Sequence, residues 1–339
     1  MRAVGYTRSL PITETEALAD HDLPRPEPGP RDLLVKVEAV SVNPVDTKVR
    51  LRAEPEAGGV KVLGWDAAGT VVATGAEAEG FSVGDAVFYA GDLTRPGTNA
   101  EYHCVDARIV GHKPKSLDWA QAAALPLTAI TAWEALFDRL DTGKPVPGAA
   151  PAILIVGGAG GVGSVAIQLA RQLTDLTVIA TASRPETAAW CRDLGAHHVV
   201  DHARPLAAEV AALGLGAPGL VFSTTNTDAH LAEIAALIAP QGRFALIDDP
   251  AQLDVALLKR KSLSLHWEFM FTRSMFGTSD IGAQGALLDE VARLVDAGHL
   301  RTTLGEHYGR IDARNLRRAH ALIESGRAKG KIVLEGFSQ

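Results

Sequence analysis

The chain has only two cysteines, Cys104 and Cys191, in 339 residues. Two cysteines cannot build a disulfide framework or fill a four-cysteine zinc lobe, and they point to a reducing, cytoplasmic setting. Positive charge is not in excess. The 33 Lys and Arg stand against 40 Asp and Glu, a formal net charge of −7, so the basic footprint of a general nucleic-acid or anionic-membrane binder is missing. Long apolar runs are missing as well. None approaches the ~20 residues of a membrane span, and Met1-Arg2-Ala3-Val4-Gly5-Tyr6 opens the chain without the apolar core of a signal peptide. The expectation is a soluble cytoplasmic protein with neither nucleic-acid nor membrane partners. At roughly 100–200 residues per domain, its length predicts about two domains.

What is present changes character along the chain. Residues 33–40, 69–75 and 81–89 read as short strands separated by Gly and Pro turns, the pattern of a compact barrel-like β domain. Residues 117–140 carry apolar positions at helical spacing, with Asp118 as the N-cap. Strands at 152–157, 177–181, 198–200, 219–222 and 243–247 then alternate with helices at 163–173, 185–194 and 231–238. Repeated βα units predict a doubly wound parallel sheet with helices on both faces. Helices at 286–297 and 316–325 and a last strand at 331–334 complete the pattern.

The strongest local motif is Gly158-Ala159-Gly160-Gly161-Val162-Gly163. A G-x-G-x-x-G run means little in a chain with 33 glycines, but here it follows a predicted strand and opens a predicted helix. In that context glycines permit the tight turn, the approach of a pyrophosphate, and close packing of helix on strand. The helix N-terminus adds N–H donors and partial positive charge. At the end of the next strand an NAD enzyme would place Asp or Glu for the ribose 2′-OH. This chain has Thr181-Ala182-Ser183-Arg184. With no carboxylate there, and with Ser183 and Arg184 able to bind a 2′-phosphate, the expected cofactor is NADPH. The plainer reading leaves Arg184 as a solvated residue at the start of a helix.

A β-rich domain, this turn, and the closing Gly326-Arg327-Ala328-Lys329-Gly330-Lys331-Ile332-Val333-Leu334 together resemble the medium-chain dehydrogenase/reductase superfamily over the whole chain. Asn43-Pro44-Val45-Asp46 resembles the N-P-x-D motif of its quinone oxidoreductase branch. The segment His266–Arg273 is similar to a bacterial subgroup labelled zinc-type alcohol dehydrogenase-like. The resemblance implies a Rossmann sheet plus a GroES-like catalytic domain, divided as 1–125, 126–268 and a return at 269–339. It also implies a homodimer joined through the Rossmann domains. It places Asn43 beside the nicotinamide ribose and substrate, with Asp46 ordering that loop. Thr131 approaches the cofactor, His202 lies near the adenine ribose phosphate, and Lys331 is among the cofactor contacts. Lys48 stands where quinone oxidoreductases often carry Tyr.

The zinc label conflicts with the residues. The three ligand positions of zinc alcohol dehydrogenases fall on Asn43, on Trp65 of Gly64-Trp65-Asp66, and near Leu127-Thr128. Thiolate and imidazole dominate such sites, so no metal is expected. Without a Lewis acid, alcohol oxidation is difficult. Hydride addition to a quinone or an α,β-unsaturated carbonyl is easier, because the acceptor is already polarised. The expected activity is therefore a zinc-independent, NADPH-dependent reductase acting on an apolar carbonyl or quinone. A zinc alcohol dehydrogenase and an NADPH-binding sensor of little turnover are the alternatives. Two readings stand for Trp65, a pocket wall whose indole N–H donates or simple core packing. For Trp267 core packing is one of two readings as well. Phe269, Met270 and Phe271 line a substrate cleft or form a core stripe.

Overall fold

Short extended runs bounded by turns form the first strands of a computed structural model that describes residues 1–337. They are β1 (Arg2–Tyr6), β2 (Ala19–Asp22), β3 (Asp32–Val42), β4 (Lys61–Val62), β5 (Ala67–Thr74), β6 (Ala86–Tyr89), β7 (Tyr102–Asp106) and β8 (Val110–His112). The eleven-residue β3 is the spine. Its first half pairs on one side with β5 and on the other with β7, and both pairings are antiparallel. Neighbours on both edges place β3 inside the sheet, and it is buried along almost its whole length, with Lys36 its one exposed residue.

Helical pieces interrupt these strands and follow them. The helix α1 (Pro44–Arg52) occupies a stretch whose N-P-x-D motif reads as a loop in the sequence. Pro44 at the first helical position has the φ a helix needs and no N–H to leave unsatisfied. The single helix expected over 117–140 is in fact α2 (Trp119–Ala123) and α3 (Pro126–Trp133), with a π-helical segment, Glu134–Arg139. Pro126 supplies no N–H to continue α2, so the helix stops and restarts there. Asp118 caps α2 as expected, accepting the Gln121 N–H at 2.7 Å.

Beyond these the chain alternates strand and helix: β9 (Ala150–Val156), α4 (Gly161–Leu173), β10 (Thr177–Thr181), α5 (Pro185–Asp193), β11 (His198–Val200), α6 (Leu206–Ala211), β12 (Pro218–Ser223), α7 (Thr227–Leu237), β13 (Arg243–Leu246), α8 (Ala256–Lys259) and β14 (Ser264–Trp267). Among the described residues these strands make a six-stranded sheet in the order β11-β10-β9-β12-β13-β14. Every pairing in it is parallel. Register aligns Ile179, Leu154, Val221 and Phe244 across four strands, and all four lie in one buried cluster. The strand order reverses between β9 and β12, the switch point at which open α/β sheets bind ligands beyond the strands' carboxyl ends. β14 has no counterpart in the sequence reading.

The remaining elements are α9 (Thr272–Phe276), α10 (Ala283–Asp296), β15 (Leu304–His307), α11 (Ala313–Glu324) and β16 (Lys331–Glu335). β16 pairs antiparallel with the second half of β3, setting Ile332 opposite Val42. The chain forms two compact units. One is Met1–Ile130 together with the chain from Phe271 onward, and the other is Thr131–Met270. Among the described residues no helix is long and apolar enough to cross a membrane.

Candidate active site

The glycine turn occupies the carboxyl end of β9. Helix α4 starts at Gly161, two residues before the sequence places it, with Gly160 in the cap position. A Cβ on Gly163 would lie 2.3 Å from the Gly157 carbonyl oxygen, so glycine is required there for helix and turn to meet. A Cβ on Gly160 would meet only that oxygen, at 3.5 Å, so the space beside Gly160 is open. The first-turn N–H groups of Gly161, Val162 and Gly163 precede the first helical bond, from Ser164 N–H to the Gly160 carbonyl at 2.9 Å. An open cradle below free donors fits the pyrophosphate of a dinucleotide. Gly158 N–H donates to the Thr181 carbonyl at 3.1 Å, tying the turn to the end of β10.

Beyond β10, Ser183 is exposed and Arg184 is half-buried at the cap of α5. The first carboxylate after the strand is Glu186, and it is ion-paired with Arg184 at 3.2 Å. His202 follows β11, with Nδ1 2.9 Å from Thr181 Oγ1. Thr131, on α3, is buried in this same unit.

The other unit holds a buried polar cluster. Pairing of β16 with β3 brings Lys331 to Asn43. The Lys331 ammonium donates to Asn43 Oδ1, to the Val42 carbonyl at 3.1 Å and to Asp66 Oδ2 at 3.0 Å. Asn43 Nδ2 donates to the same Asp66 oxygen at 2.8 Å. The second Asp66 oxygen accepts the Leu127 N–H at 2.7 Å. Asp66 is wholly buried and Lys331 nearly so. Burial pushes the Asp66 carboxyl up, while the Lys331 ammonium and the Asn43 amide hold it down. Asp46 accepts the Asn43 N–H at 2.6 Å and so fixes the start of α1, a helix end and not the loop expected. Burial pushes Asp46 up to about 7, against the Asn43 N–H and the Lys331 ammonium, and Asp66 adds to the rise. Lys48 is half-buried on α1.

Trp65 is core. It is 1% exposed, packs edge-on to Phe271 at 6.3 Å, and its indole N–H donates to the Asp92 carbonyl at 3.1 Å. Of the two readings, core packing is the one that fits, and the indole N–H is already used. Met270 and Phe271 are buried, whereas Phe269 and Trp267 are exposed, so Trp267 is not core.

Two features escape the sequence reading. Asp66 sits in Gly64-Trp65-Asp66, the motif read only for its missing histidine. Glu134, in the π-helical segment, lies against Glu268, just after β14. Both are buried, and Glu268 accepts Arg139 Nε at 2.9 Å. Burial first, then the Glu134 carboxyl, pushes Glu268 up to about 9. An acid inside an apolar run, as in Trp267-Glu268-Phe269-Met270-Phe271, is the signal that could have found it.

Residues 29–115 match the model of the alcohol dehydrogenase GroES-like domain, and residues 194–334 match that of zinc-binding dehydrogenases. A zinc-type alcohol dehydrogenase-like protein of Staphylococcus aureus (strain MSSA476) is 37% identical, covering 98% of this chain and 99% of that one. The chain belongs to the medium-chain dehydrogenase/reductase superfamily. A crystal structure from Rhizobium etli CFN 42, provisionally described as a zinc-dependent alcohol dehydrogenase, is 66% identical with a TM-score of 0.98. It covers 100% of this chain and 99% of that one. The quinone oxidoreductase from Coxiella burnetii is 26% identical with a TM-score of 0.79, covering 99% of each chain. Superfamily members include a protein solved with NADPH, and the glycine turn of this oxidoreductase fits a dinucleotide. Zinc fits less well. The three ligand positions do meet, through the bonds of the Asn43 amide to the Trp65 carbonyl and of Asn43 and the Leu127 N–H to Asp66, but they bring no thiolate or imidazole, and the Trp65 indole is turned to Asp92. The cation in contact with Asn43 and Asp66 is the ammonium of Lys331.

Proposed function

We propose that this dehydrogenase/reductase is a zinc-independent, NADPH-dependent reductase of quinones or α,β-unsaturated carbonyl compounds, acting as a homodimer. The observation that carries the reading is the Lys331–Asn43–Asp66 cluster. A zinc ion bonded at Asn43 would face the Lys331 ammonium and no thiolate or imidazole, so its donor set is wrong in kind and in charge. When bound, the reduced dinucleotide supplies a hydride. The open side of Gly160 and the N–H groups of Gly161, Val162 and Gly163 take its pyrophosphate, and Ser183 and Arg184 take the 2′-phosphate. Asn43 is held rigid from both ends of its amide, which suits positioning rather than proton transfer. An acceptor whose carbonyl is conjugated needs no Lewis acid, and water can supply the proton. The likeness to a quinone oxidoreductase supports this acceptor class. The dimer is supported by β14, which ends the six-stranded sheet with an unpaired edge and exposed Trp267 and Phe269.

The test is NADPH oxidation by the purified chain with a panel of quinones, enones and aldehydes, read beside its zinc content after dialysis. Turnover with quinones or enones at well below one zinc per chain is expected. One tightly held zinc with alcohol oxidation, or NADPH binding without turnover, would overturn the reading. Arg184→Ala should lower the preference for NADPH over NADH about tenfold, or ~1.4 kcal/mol.

A further inference from the structure

Two imidazoles meet at the carboxyl edge of the parallel sheet. Register sets Val200 of β11 opposite Thr181 of β10, so His202, two residues on, lies at the end of β10. That strand end is where a bound dinucleotide places its adenosine ribose. Thr181 Oγ1 accepts the Gly157 N–H at 3.0 Å and lies 2.9 Å from His202 Nδ1. The Thr181 hydroxyl thus ties the His202 ring to the glycine turn, in a bond whose direction depends on the ring's tautomer. His230, in the first half of α7, faces it with ring centroids 6.0 Å apart and planes at 56°. Both rings are half-buried.

The carboxylates around the pair are Asp201 beside His202, and Asp228, Glu233 and Asp248 beside His230. Most are committed elsewhere. Asp248 accepts the Thr227 N–H at 2.8 Å, Glu233 accepts the Ala207 N–H at 2.8 Å, and Asp201 accepts the Ala203 N–H at 2.9 Å. Arg204 lies 3.8 Å from Asp201 and 3.6 Å from Glu209. Burial holds both imidazoles below the usual histidine range, and the neighbouring ring lowers His202 further. Burial thus biases both rings toward the neutral form, against the pull of these carboxylates.

We infer that the His202–His230 pair takes up a proton when the chain binds a dinucleotide bearing a 2′-phosphate, and that His230 thereby contributes to the choice of NADPH over NADH. The inference rests on the NADPH reading above. A phosphate with second pKa near ~6 arrives as a dianion at pH 7.5, and a dianion at the end of β10 stabilises an imidazolium beside it. Two rings this close resist charging together, so at most one proton is taken. The proton comes from solvent and returns to it when the cofactor leaves.

The experiment is calorimetric titration of the full chain with NADPH and with NADH at pH 7.5, in two phosphate-free buffers of different ionisation enthalpy. Heats that depend on buffer for NADPH, with the sign of uptake, and not for NADH are expected. His230→Gln should remove most of that dependence and weaken NADPH about fivefold, or ~1 kcal/mol, with the loss confined to NADPH. NADPH preferred over NADH with buffer-independent heats would overturn the inference and leave the cofactor reading standing. Equal affinity for the two cofactors would overturn the cofactor reading itself.

Discussion

Glu268 has no solvent-exposed side-chain surface, and one of its oxygens meets Arg139 while the Glu134 carboxyl lies against it. Two carboxyls that close share a proton instead of both ionising. The folded pKa of about 9 lies above the unfolded value of 4.5. The contribution to stability is thus full below pH 4.5 and is lost as pH rises through about 9. Asp46, raised to about 7, has the same sign. Thermal unfolding should therefore show Tm falling between pH 6 and pH 9, and Glu268→Gln should flatten that fall without abolishing it. A variant whose Tm falls as steeply as the parent's would show that the pair is not the source. Single residues of this kind are the least legible in a sequence. Asp66 and Lys331 stand 265 positions apart, and only the pairing of β16 with β3 makes them partners. Two readings stood for Trp65 because nothing in the motif names the Asp92 carbonyl that accepts its indole N–H.

The elements were read better than their partners, since periodicity and turn residues are local. The parallel sheet, the glycine turn and the Asp118 cap all follow from short-range pattern. The helix over 117–140 did not hold, because apolar spacing continues across Pro126 while the backbone cannot. β14 was missed because its Ser264-Leu265-His266-Trp267 alternation is weak and becomes a strand only through parallel pairing with β13. The glycine turn offers a sharper test at this scale, since two of its glycines do different work. Gly163→Ala forces a Cβ against the Gly157 carbonyl and should cost about 1–3 kcal/mol in stability. Gly160→Ala keeps its φ of −71° and meets no close atom, so folding should change by less than ~1 kcal/mol. Its methyl group does fill the cradle, and NADPH affinity should fall by at least ~10-fold, or ~1.4 kcal/mol. Melting curves beside cofactor titrations separate the two effects. Unchanged NADPH binding by the Gly160 variant would remove the cradle from the site.

At the scale of the whole molecule, the six-stranded sheet ends at β14, and an open parallel-sheet edge is a template for another strand. β14 carries neither proline nor bulge to blunt it, and Trp267 is 54% exposed on it, with Phe269 at 45% just beyond. A second copy is the occupant proposed above. A two-fold axis would bring the same edge to itself, so that each contact is made twice and the assembly closes at two chains. One charge placed on this edge then enters the interface twice and faces its own copy. Trp267→Glu should accordingly sediment as a monomer at concentrations where the parent runs at twice the chain mass. Phe276→Asp, on the exposed face of α9 and 75% exposed, should leave the dimer intact and controls for a general loss of apolar surface. A parent chain that sediments as a monomer at tens of micromolar would refute the dimer. A Trp267 variant that stays dimeric would move the interface away from β14.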